Sequence, residues 1–341
     1  MAGTDTATEP SVGIIANPVS GKDIRRLLSN AGTSTLQDKY TIVRRVVIGA
    51  AEVGVRQFWF MPEPHRICAR AVETLGLDVR YDHVAIDPIY NESDTTRTVA
   101  KLAELGCGAV VVLGGDGTNR AAALGWPDLP VVPVSTGTNN VFPRFVEATL
   151  AGAAAGLVAT GQVALAEVSR NAKVIHIEID GERDDLALID AVLVNERFVG
   201  SRALFDPAAL RVAVLTRAEP ASVGMSSIGG LIMPCGADDE AAVLIRFAAV
   251  ASAKRRLRAP LAPGLYNDVG IGECVRLGPG EPVEVSGPGI LAFDGERHRV
   301  LRPGQKARLW VDRSGPRVIE TATALRLAAQ RKSYLRSEGL S

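Results

Sequence analysis

Residues 109–118 read AVVVLGGDGT, and this stretch decides the predicted fold. The apolar run 109–113 has no polar alternation, as in a parallel strand covered on both faces. Gly114–Thr118 then forms a glycine-rich turn before a helix predicted at 119–124. Such a turn lets backbone N–H groups approach a polyphosphate while Asp116 projects a carboxylate into the same space.

Asp116 is therefore a candidate for phosphoryl transfer. In that chemistry the protein supplies position and charge, and a carboxylate takes the proton of an acceptor hydroxyl or holds Mg²⁺. The alternative is an ordinary Asp-Gly turn whose carboxylate only caps the following helix. The five residues together, between a buried strand and a helix, favour the functional interpretation.

The residues around this stretch alternate strand and helix signals. Strands are predicted at 12–16, 55–61, 79–86 and 130–134. Helices are predicted on the face of Ile24, Leu27 and Leu28, at 62–75, and from Ser93 or Asp94 to a stop at Gly106. This order predicts an open parallel α/β sheet, in which ligands bind beyond the carboxyl ends of the strands.

Two further loops fall at that edge of the predicted sheet. In the loop 17–22, which reads NPVSGK, Gly21 permits close approach and Lys22 offers a point charge, although the spacing is not that of the Walker loop. The turn 137–140 adds amide and hydroxyl donors, or else is a polar loop that caps the next helix. The predicted nucleotide-binding residues are Asn17, Ser20, Gly21, Lys22, Gly114, Gly115, Gly117, Thr118, Thr138, Asn139 and Asn140.

After about Val146 the sequence becomes mostly β-like. An alanine-rich helix is predicted at 150–159 and a C-terminal helix at 319–335 that packs back on the first domain. Asp180-Gly181 and Asp294-Gly295 are hairpin-turn dipeptides. β-like runs occur at 173–180, 186–194, 211–216, 243–249, 269–277, 290–293 and 307–311. The predicted organisation is a flexible start at 1–11, an α/β nucleotide-binding domain at 12–146, a β-rich domain at 147–312 and the returning helix within 313–341.

Composition limits the classes of partner. Of 341 residues 47% are hydrophobic, which excludes a disordered chain, and 38 basic residues balance 38 acidic ones. No general basic field is present to hold nucleic acid or a membrane surface. The N-terminus has no signal-peptide pattern, and four widely spaced cysteines speak against zinc and fit a reducing compartment. We therefore expect a cytoplasmic protein with no dedicated metal cage.

The motifs at 17–21, 114–118 and 137–142 resemble those of the superfamily that contains the NAD kinases and the diacylglycerol and sphingosine lipid kinases. The whole pattern is most similar to the bacterial ATP-NAD kinase-like group, which includes the X protein encoded with acetoin-catabolism enzymes. The resemblance implies the NAD-kinase fold, ATP and Mg²⁺ as cofactors, Asp116 as the catalytic residue, and a homo-oligomer, since NAD kinases commonly pair their β domains.

The resemblance also implies where the acceptor binds. Asn195 and Glu196 are similar to the pair with which NAD kinases contact the dinucleotide, and Asp294 resembles the Asp-Gly turn near the end of both branches. Ser226 lies where NAD kinases have a Gly/Ser/Thr-rich substrate segment, but the Thr-Gly-Ser-Thr-Ala-Tyr form is absent. The expected reaction is phosphorylation of the 2′-hydroxyl of the adenosine ribose of NAD. The alternatives are a kinase for another metabolite or a lipid, and a non-catalytic NAD(H)-binding accessory protein of acetoin catabolism.

Overall fold

The computed structural model describes residues 9–18, 35–137, 139–195, 206–295 and 297–335. Strands and helices alternate first: β1 (Ser11–Ala16), α1 (Leu36–Glu52), β2 (Gln57–Phe60), α2 (Ile67–Glu73), β3 (Arg80–His83), α3 (Glu92–Glu104), β4 (Ala109–Gly114), α4 (Asp116–Gly125) and β5 (Pro130–Ser135). Two helices and a run of strands follow: α5 (Ala148–Ala159), α6 (Leu165–Val168), β6 (Ser169–Asn171), β7 (Val174–Ile179), β8 (Asp185–Ala187), β9 (Asp190–Val194) and β10 (Leu210–Leu215). The chain then forms α7 (Met225–Gly230), β11 (Ala242–Ala248), β12 (Arg255–Ala262), β13 (Leu265–Leu277), β14 (Val283–Ser286), β15 (Gly289–Phe293), β16 (Arg297–Leu301), β17 (Lys306–Asp312), β18 (Arg317–Ile319) and α8 (Thr321–Gln330).

The first sheet has the strand order β3-β2-β1-β4-β5-β18-β6. Its strands from β3 to β18 run parallel, and β6 pairs antiparallel with β18. All six residues of β1 and of β4 are buried, as expected of central strands covered by helices on both faces. The strand order reverses between β1 and β4, and this switch point is where open α/β sheets bind ligands. The predicted parallel α/β architecture is confirmed.

Helix α1 was not predicted from the sequence. It begins with a capping box in which Thr35 and Asp38 bond to each other's backbone N–H groups. Its apolar face packs closely against α5. Gly152 of α5 makes this close approach possible, since a Cβ on Gly152 would overlap the backbone of Val46. The predicted helical face of Ile24, Leu27 and Leu28 lies outside the described residues.

Several predicted helix boundaries were wrong by a few residues. The N-cap of α3 is Asn91, whose side chain accepts from the N–H of Ser93, so neither Ser93 nor Asp94 caps the helix. Helix α2 begins only at Ile67, after prolines that favour extended backbone. Ile319 was expected in the last helix, but it pairs with β6 as part of β18.

The remaining strands form two packed antiparallel sheets. One has the order β12-β13-β11-β10-β9-β15-β16 and the other β14-β17-β7-β8. Apolar side chains such as Ile177, Val214 and Leu309 fill the space between them. The Asp294-Gly295 turn joins β15 to β16, and both residues have left-handed backbone, with φ of 48° and 72°. The predicted β-rich second part is confirmed.

Helix α8 returns to the parallel sheet, as predicted. Ala324 and Ala328 are fully buried in the core that also contains β1 and α5. The predicted domain boundary after Val146 stays a prediction; helix α5, which follows it, packs against α1 and the parallel sheet. In the described part of the chain, no helix is long and apolar enough to cross a membrane.

Candidate active site

The glycine-rich turn connects β4 to α4 and lies at the switch point, where the strand order reverses between β1 and β4. Gly115 is the N-cap of α4, and Asp116 is the first residue of that helix. A Cβ on Gly114 would stand 2.5 Å from Cβ of Thr118, and one on Gly115 would stand 2.8 Å from Oδ1 of Asn140. The two glycines therefore allow the neighbouring polar side chains to close around the turn.

Polar side chains from neighbouring strand ends meet here, and we call Asn17, Gly114–Thr118 and Asn140 the switch-point cluster. Nδ2 of Asn17 donates to Oγ1 of Thr118 at 3.1 Å, which joins the end of β1 to the first turn of α4. Nδ2 of Asn140 donates to Oγ of Ser135 at 2.8 Å and so fixes the loop after β5. Ser20, Gly21, Lys22 and Thr138 lie outside the described residues, whereas Asn139 is described and partly exposed.

A buried lysine supports the first loop. Nζ of Lys39 donates to the backbone oxygens of Asn17 at 2.8 Å and Pro18 at 3.0 Å. The Lys39 side chain is fully buried, so its charge is held by these carbonyl groups and their neighbours. Sequence analysis missed this residue, because Lys39 stands in a polar helix start where exposed lysines are common.

The Asp116 carboxylate faces the loop after β5 and does not cap its own helix. It accepts from the backbone N–H of Phe142 at 2.8 Å and of Val141 at 3.1 Å. Desolvation raises the pKa of Asp116 to about 7, and the negative charge of Asp294 raises it as well, while the two amides act in the opposite direction. Since the residue stays partly exposed, this carboxyl can exchange a proton near neutral pH.

Asp294 brings a second carboxylate from the β-rich part. Its oxygens accept from the N–H groups of Leu188 and Ile189 at 2.8 Å each and from Asp190 at 3.3 Å. Desolvation raises the pKa of Asp294 to about 7, and the charge of Asp190 adds to the rise. The structure thus brings Asp116 and Asp294, 178 positions apart in the sequence, within electrostatic reach of each other.

A buried arginine ties the two carboxylate-bearing elements together. Arg120, one helical turn after Asp116, is 1% exposed and forms an ion pair with Asp185 of β8. Its guanidinium stands 5.0 Å from the ring centroid of Phe293, the residue before Asp294. Arg299 donates to the other oxygen of Asp185 at 2.9 Å. The signal for this contact in the sequence is a single arginine within the alanine-rich stretch 119–124, and Arg120 is not among the predicted site residues.

Arg217 holds the loop that binds Asp116. Its Nη1 donates to the backbone oxygen of Val141 at 2.9 Å, and its guanidinium lies 5.2 Å from the ring centroid of Phe142. Desolvation lowers the pKa of Arg217, yet a guanidinium stays protonated at any physiological pH. Its positive charge stabilises the ionised form of Asp116.

Asn195 and Ser226, which were predicted to bind the acceptor, are both hydrogen-bonded to backbone groups of the chain. Asn195 follows β9, and its N–H donates to the backbone oxygen of Ala209 at 2.7 Å, while Glu196 lies outside the described residues. Ser226 is 1% exposed, and its hydroxyl donates to the backbone oxygen of Arg217 at 2.9 Å. The Ser226 hydroxyl therefore supports Arg217 and does not face a ligand directly. A serine whose hydroxyl is hydrogen-bonded to the backbone cannot be distinguished from other serines in the sequence.

The donor set fits a nucleotide with its metal. The first turn of α4 has no side-chain cap, and the N–H groups of an uncapped helix N-terminus can bind phosphate oxygens. Among the residues that the structure describes, no group of three or more His, Cys, Asp or Glu side chains could hold a metal ion. A Mg²⁺ ion that accompanies a nucleotide is commonly bound through the phosphates and one or two carboxylates.

Comparisons with known proteins show the family to which the chain is related. Residues 12–163 match the family model described as the ATP-NAD kinase N-terminal domain, and residues 173–314 match the acetoin catabolism protein X C-terminal domain. The acetoin catabolism protein X of Cupriavidus necator is 36% identical over 342 residues, which cover 96% of this chain and 95% of that protein.

The solved structure of a yeast kinase shows the same fold at low sequence identity. Yeast NADH kinase complexed with NADH superposes with a TM-score of 0.53 at 13% identity, over 98% of this chain and 91% of that one. A diacylglycerol kinase from Bacillus anthracis strain Sterne covers 92% of this chain and 97% of its own at 15% identity, with a TM-score of 0.40. Of these two structures, only the yeast NADH kinase is used for the fold comparison.

Proposed function

The chain belongs to the acetoin catabolism protein X family, and from this premise we propose that it transfers the γ-phosphoryl group of ATP to a hydroxyl group, with the 2′-hydroxyl of the adenosine ribose of NAD as the first-choice acceptor. The observation that carries the proposal is the placement of Asp116. It lies at the switch point, at the start of a helix, with its pKa raised to about 7. A base that titrates near the working pH is suited to accept a proton from an alcohol.

In the proposed reaction the acceptor oxygen forms a bond to the γ-phosphorus as the bond from that phosphorus to the bridging oxygen of ADP breaks. The hydroxyl proton passes to the ionised carboxylate of Asp116 and leaves as the residue returns to solvent equilibrium. The N–H groups of Val141 and Phe142 fix the direction of that carboxylate. Mg²⁺, which the phosphates would hold, would offset the negative charge of the triphosphate.

The donor loops have a positioning role in this proposal. Asn17 and the first-turn N–H groups of α4 would bind phosphate oxygens, together with Ser20, Gly21 and Lys22 of the first loop. Thr138, Asn139 and Asn140 would complete the nucleotide site from the loop after β5. Asn195, Glu196 and the Asp294 turn would lie toward the acceptor, and Ser226 would act through Arg217.

An acceptor screen tests the proposal directly. The purified protein is incubated with Mg-ATP and NAD, NADH, acetoin or diacylglycerol, and ADP and the phosphorylated product are measured. We expect NADP formation with NAD. Turnover only with another acceptor would replace NAD by that class of substrate. Binding of NAD without turnover on any acceptor would contradict a kinase and favour an accessory protein that binds the dinucleotide.

The variant Asp116→Asn tests the base. Its amide oxygen can still accept from the N–H groups of Val141 and Phe142, so the fold is retained, but it cannot take a proton. We expect turnover to fall by about a hundredfold to ten-thousandfold. Asp128→Asn, an exposed acid in the turn before β5, is the matched control and should keep wild-type turnover. Near-wild-type turnover of Asp116→Asn would remove this residue from the mechanism.

A further inference from the structure

A cavity of about 530 Å³ lies beside the switch-point cluster, behind the loop that follows β5. Its volume is within the range of small-molecule sites, roughly 300–1,000 Å³. It opens between the parallel sheet, the first turns of α5 and α8, and the segment before α7 and β11. Much of its wall is apolar, contributed by Val132, Phe142, Val146, Leu150, Ile319 and Leu325.

The mouth of the cavity exposes apolar surface. Phe145 is 71% exposed and Leu150 is 46% exposed, although both residues line the cavity. Isolated exposed apolar residues are ordinary, but two that converge on one concave site indicate a binding surface. The apolar part of a ligand would cover them.

The charges that line the cavity are unequal. Four arginines contribute to it, against the two acids Asp238 and Glu320. Arg170 pairs with Asp238 at 2.5 Å, and Arg313 pairs with Glu240 at 2.6 Å outside the lining. These two arginines are therefore already neutralised.

Arg144 and Arg217 are the other two arginines that line the cavity. Arg217 is 7% exposed and uses one N–H group on the backbone oxygen of Val141. Arg144 makes no side-chain hydrogen bond or ion pair within the residues that the structure describes, and its charge acts on Arg217 as a repulsion. The negative charges of Glu219, Asp116 and Glu320 act on Arg217 in the opposite direction. Arg144 is exposed, so its guanidinium group is accessible to an anion that enters the cavity beside Arg217.

We propose that this cavity binds a small organic anion, with its apolar body against Phe142, Leu150 and Leu325 and its carboxylate or phosphate group on Arg144 and Arg217. The site is distinct from the proposed nucleotide site, because none of the switch-point cluster lines it. A planar guanidinium binds carboxylate and phosphate through two parallel hydrogen bonds, which suits either head group.

The bound anion would lie next to the residues that hold Asp116. The ring of Phe142 lines the cavity while its N–H donates to the Asp116 carboxylate at 2.8 Å. Arg217 lines the cavity and binds the backbone oxygen of Val141, whose N–H also donates to Asp116. Occupancy of the cavity therefore acts on the loop that orients this carboxylate, and the site has the position of an effector site.

Calorimetric titration of the full chain tests the proposal with four probes that share an octyl or heptyl tail: octyl phosphate, octanoate, octyl glucoside and octyltrimethylammonium, each below its micelle concentration. We expect saturable 1:1 binding of the two anions and much weaker binding of the neutral and cationic probes. The stronger of the two anions identifies the head group. Equal binding of all four probes, or no binding of either anion, would overturn the proposal.

Two substitutions on the cavity rim have opposite expected effects. Arg144→Gln should weaken anion binding about tenfold, the loss expected for one charge-assisted contact. Glu320→Gln should strengthen it by removing a negative charge of the rim that acts on Arg217 and would repel the anion. Arg183→Gln, an exposed arginine of the turn between β7 and β8, is the control and should bind like the wild type. Unchanged affinity in both rim variants would refute the site.

Hydrogen exchange measures the connection to the loop. On binding of the anion, the N–H groups of Val141 and Phe142 should exchange more slowly, whereas those of the distant strand β14 should not change. The variant Asp116→Asn should still bind the anion, so loss of kinase activity and loss of this site are separate results. An anion that binds without any change in exchange at Val141 and Phe142 would contradict the effector role.

Discussion

Asparagine in place of Asp294 should change how the free energy of unfolding depends on pH. The pKa of Asp294 rises from an ordinary 3.8 to about 7 in the folded protein, mainly through desolvation. The folded state therefore binds a proton more tightly than the unfolded state. Between pH 4 and 7 the unfolded chain has released this proton while the folded chain keeps it, so stability falls as the pH rises through this window and is constant above it.

The magnitude follows from the size of that shift. Between pH 5 and the folded pKa there are about two pKa units, which correspond to a loss of about 3 kcal/mol for one carboxyl. Asp116, with its own pKa raised to about 7, contributes a second and coupled loss. Removing the charge of Asp294 also lowers the pKa of Asp116, since that charge is one cause of its rise. Between pH 5 and 8, the free energy of unfolding should therefore fall by at least about 3 kcal/mol less in the variant than in the wild type.

Urea unfolding at pH 5, 6, 7 and 8, followed by tryptophan fluorescence, measures the difference. An asparagine oxygen replaces only one of the two acceptor oxygens that bind Leu188 and Ile189, so the variant starts with a deficit of about 1–3 kcal/mol at pH 5. This offset does not affect the comparison, because the prediction concerns the change with pH. The control Asp128→Asn should follow the wild type. Parallel curves for the wild type and Asp294→Asn would refute the assignment of raised pKa values to this pair.

Two further substitutions test the contacts that hold the site. Arg120→Met should destabilise the protein by about 3 kcal/mol, near the lower end for a broken buried ion pair because Arg299 still binds Asp185. Arg308→Met, an exposed arginine that pairs with Glu178 at 3.5 Å, should cost less than about 1 kcal/mol, and equal losses would contradict the buried contact. Gly152→Ala should lower stability by about 1–3 kcal/mol, because the new Cβ overlaps the Val46 backbone in α1. Gly236→Ala, whose Cβ would meet only a side-chain oxygen at 3.8 Å, is its control, and a stable Gly152→Ala protein would show that α1 and α5 pack less closely than described.

The sequence predicted the parts of the fold that depend on local pattern. Unbroken apolar runs such as 109–113 gave the central strands, and Asp294-Gly295 gave the hairpin turn, because both require only nearby residues. Helix α1 was missed although Val43, Val46, Val47 and Ala50 have helical spacing, so the signal was present in the sequence. Ile319 was assigned to a helix because its pairing with β6 depends on a strand 150 positions earlier.

Only the site residues that directly follow the strands of the parallel sheet could be predicted from the sequence. Asp116 and Asn17 could be placed at one edge of the sheet because parallel strands bring their carboxyl ends together. The partners of Asp116 could not be named, since the two amides come from a loop whose path depends on Arg217, 76 positions after Val141. The position of Asp294 beside Asp116 likewise depends on how the β sheets pack on α4.

The residues Val141 and Phe142 connect the two sites that we propose. The N–H of Val141 binds Asp116 while its carbonyl oxygen binds Arg217, so one residue is held from both sides. An anion bound on Arg217 offsets the positive charge by which this guanidinium stabilises the ionised form of Asp116. Because that charge lowers the pKa of Asp116, offsetting it raises the fraction of protonated carboxyl at neutral pH. An anion in the cavity should therefore shift the pH dependence of phosphoryl transfer to higher pH, in proportion to the fraction of the protein that has bound the anion.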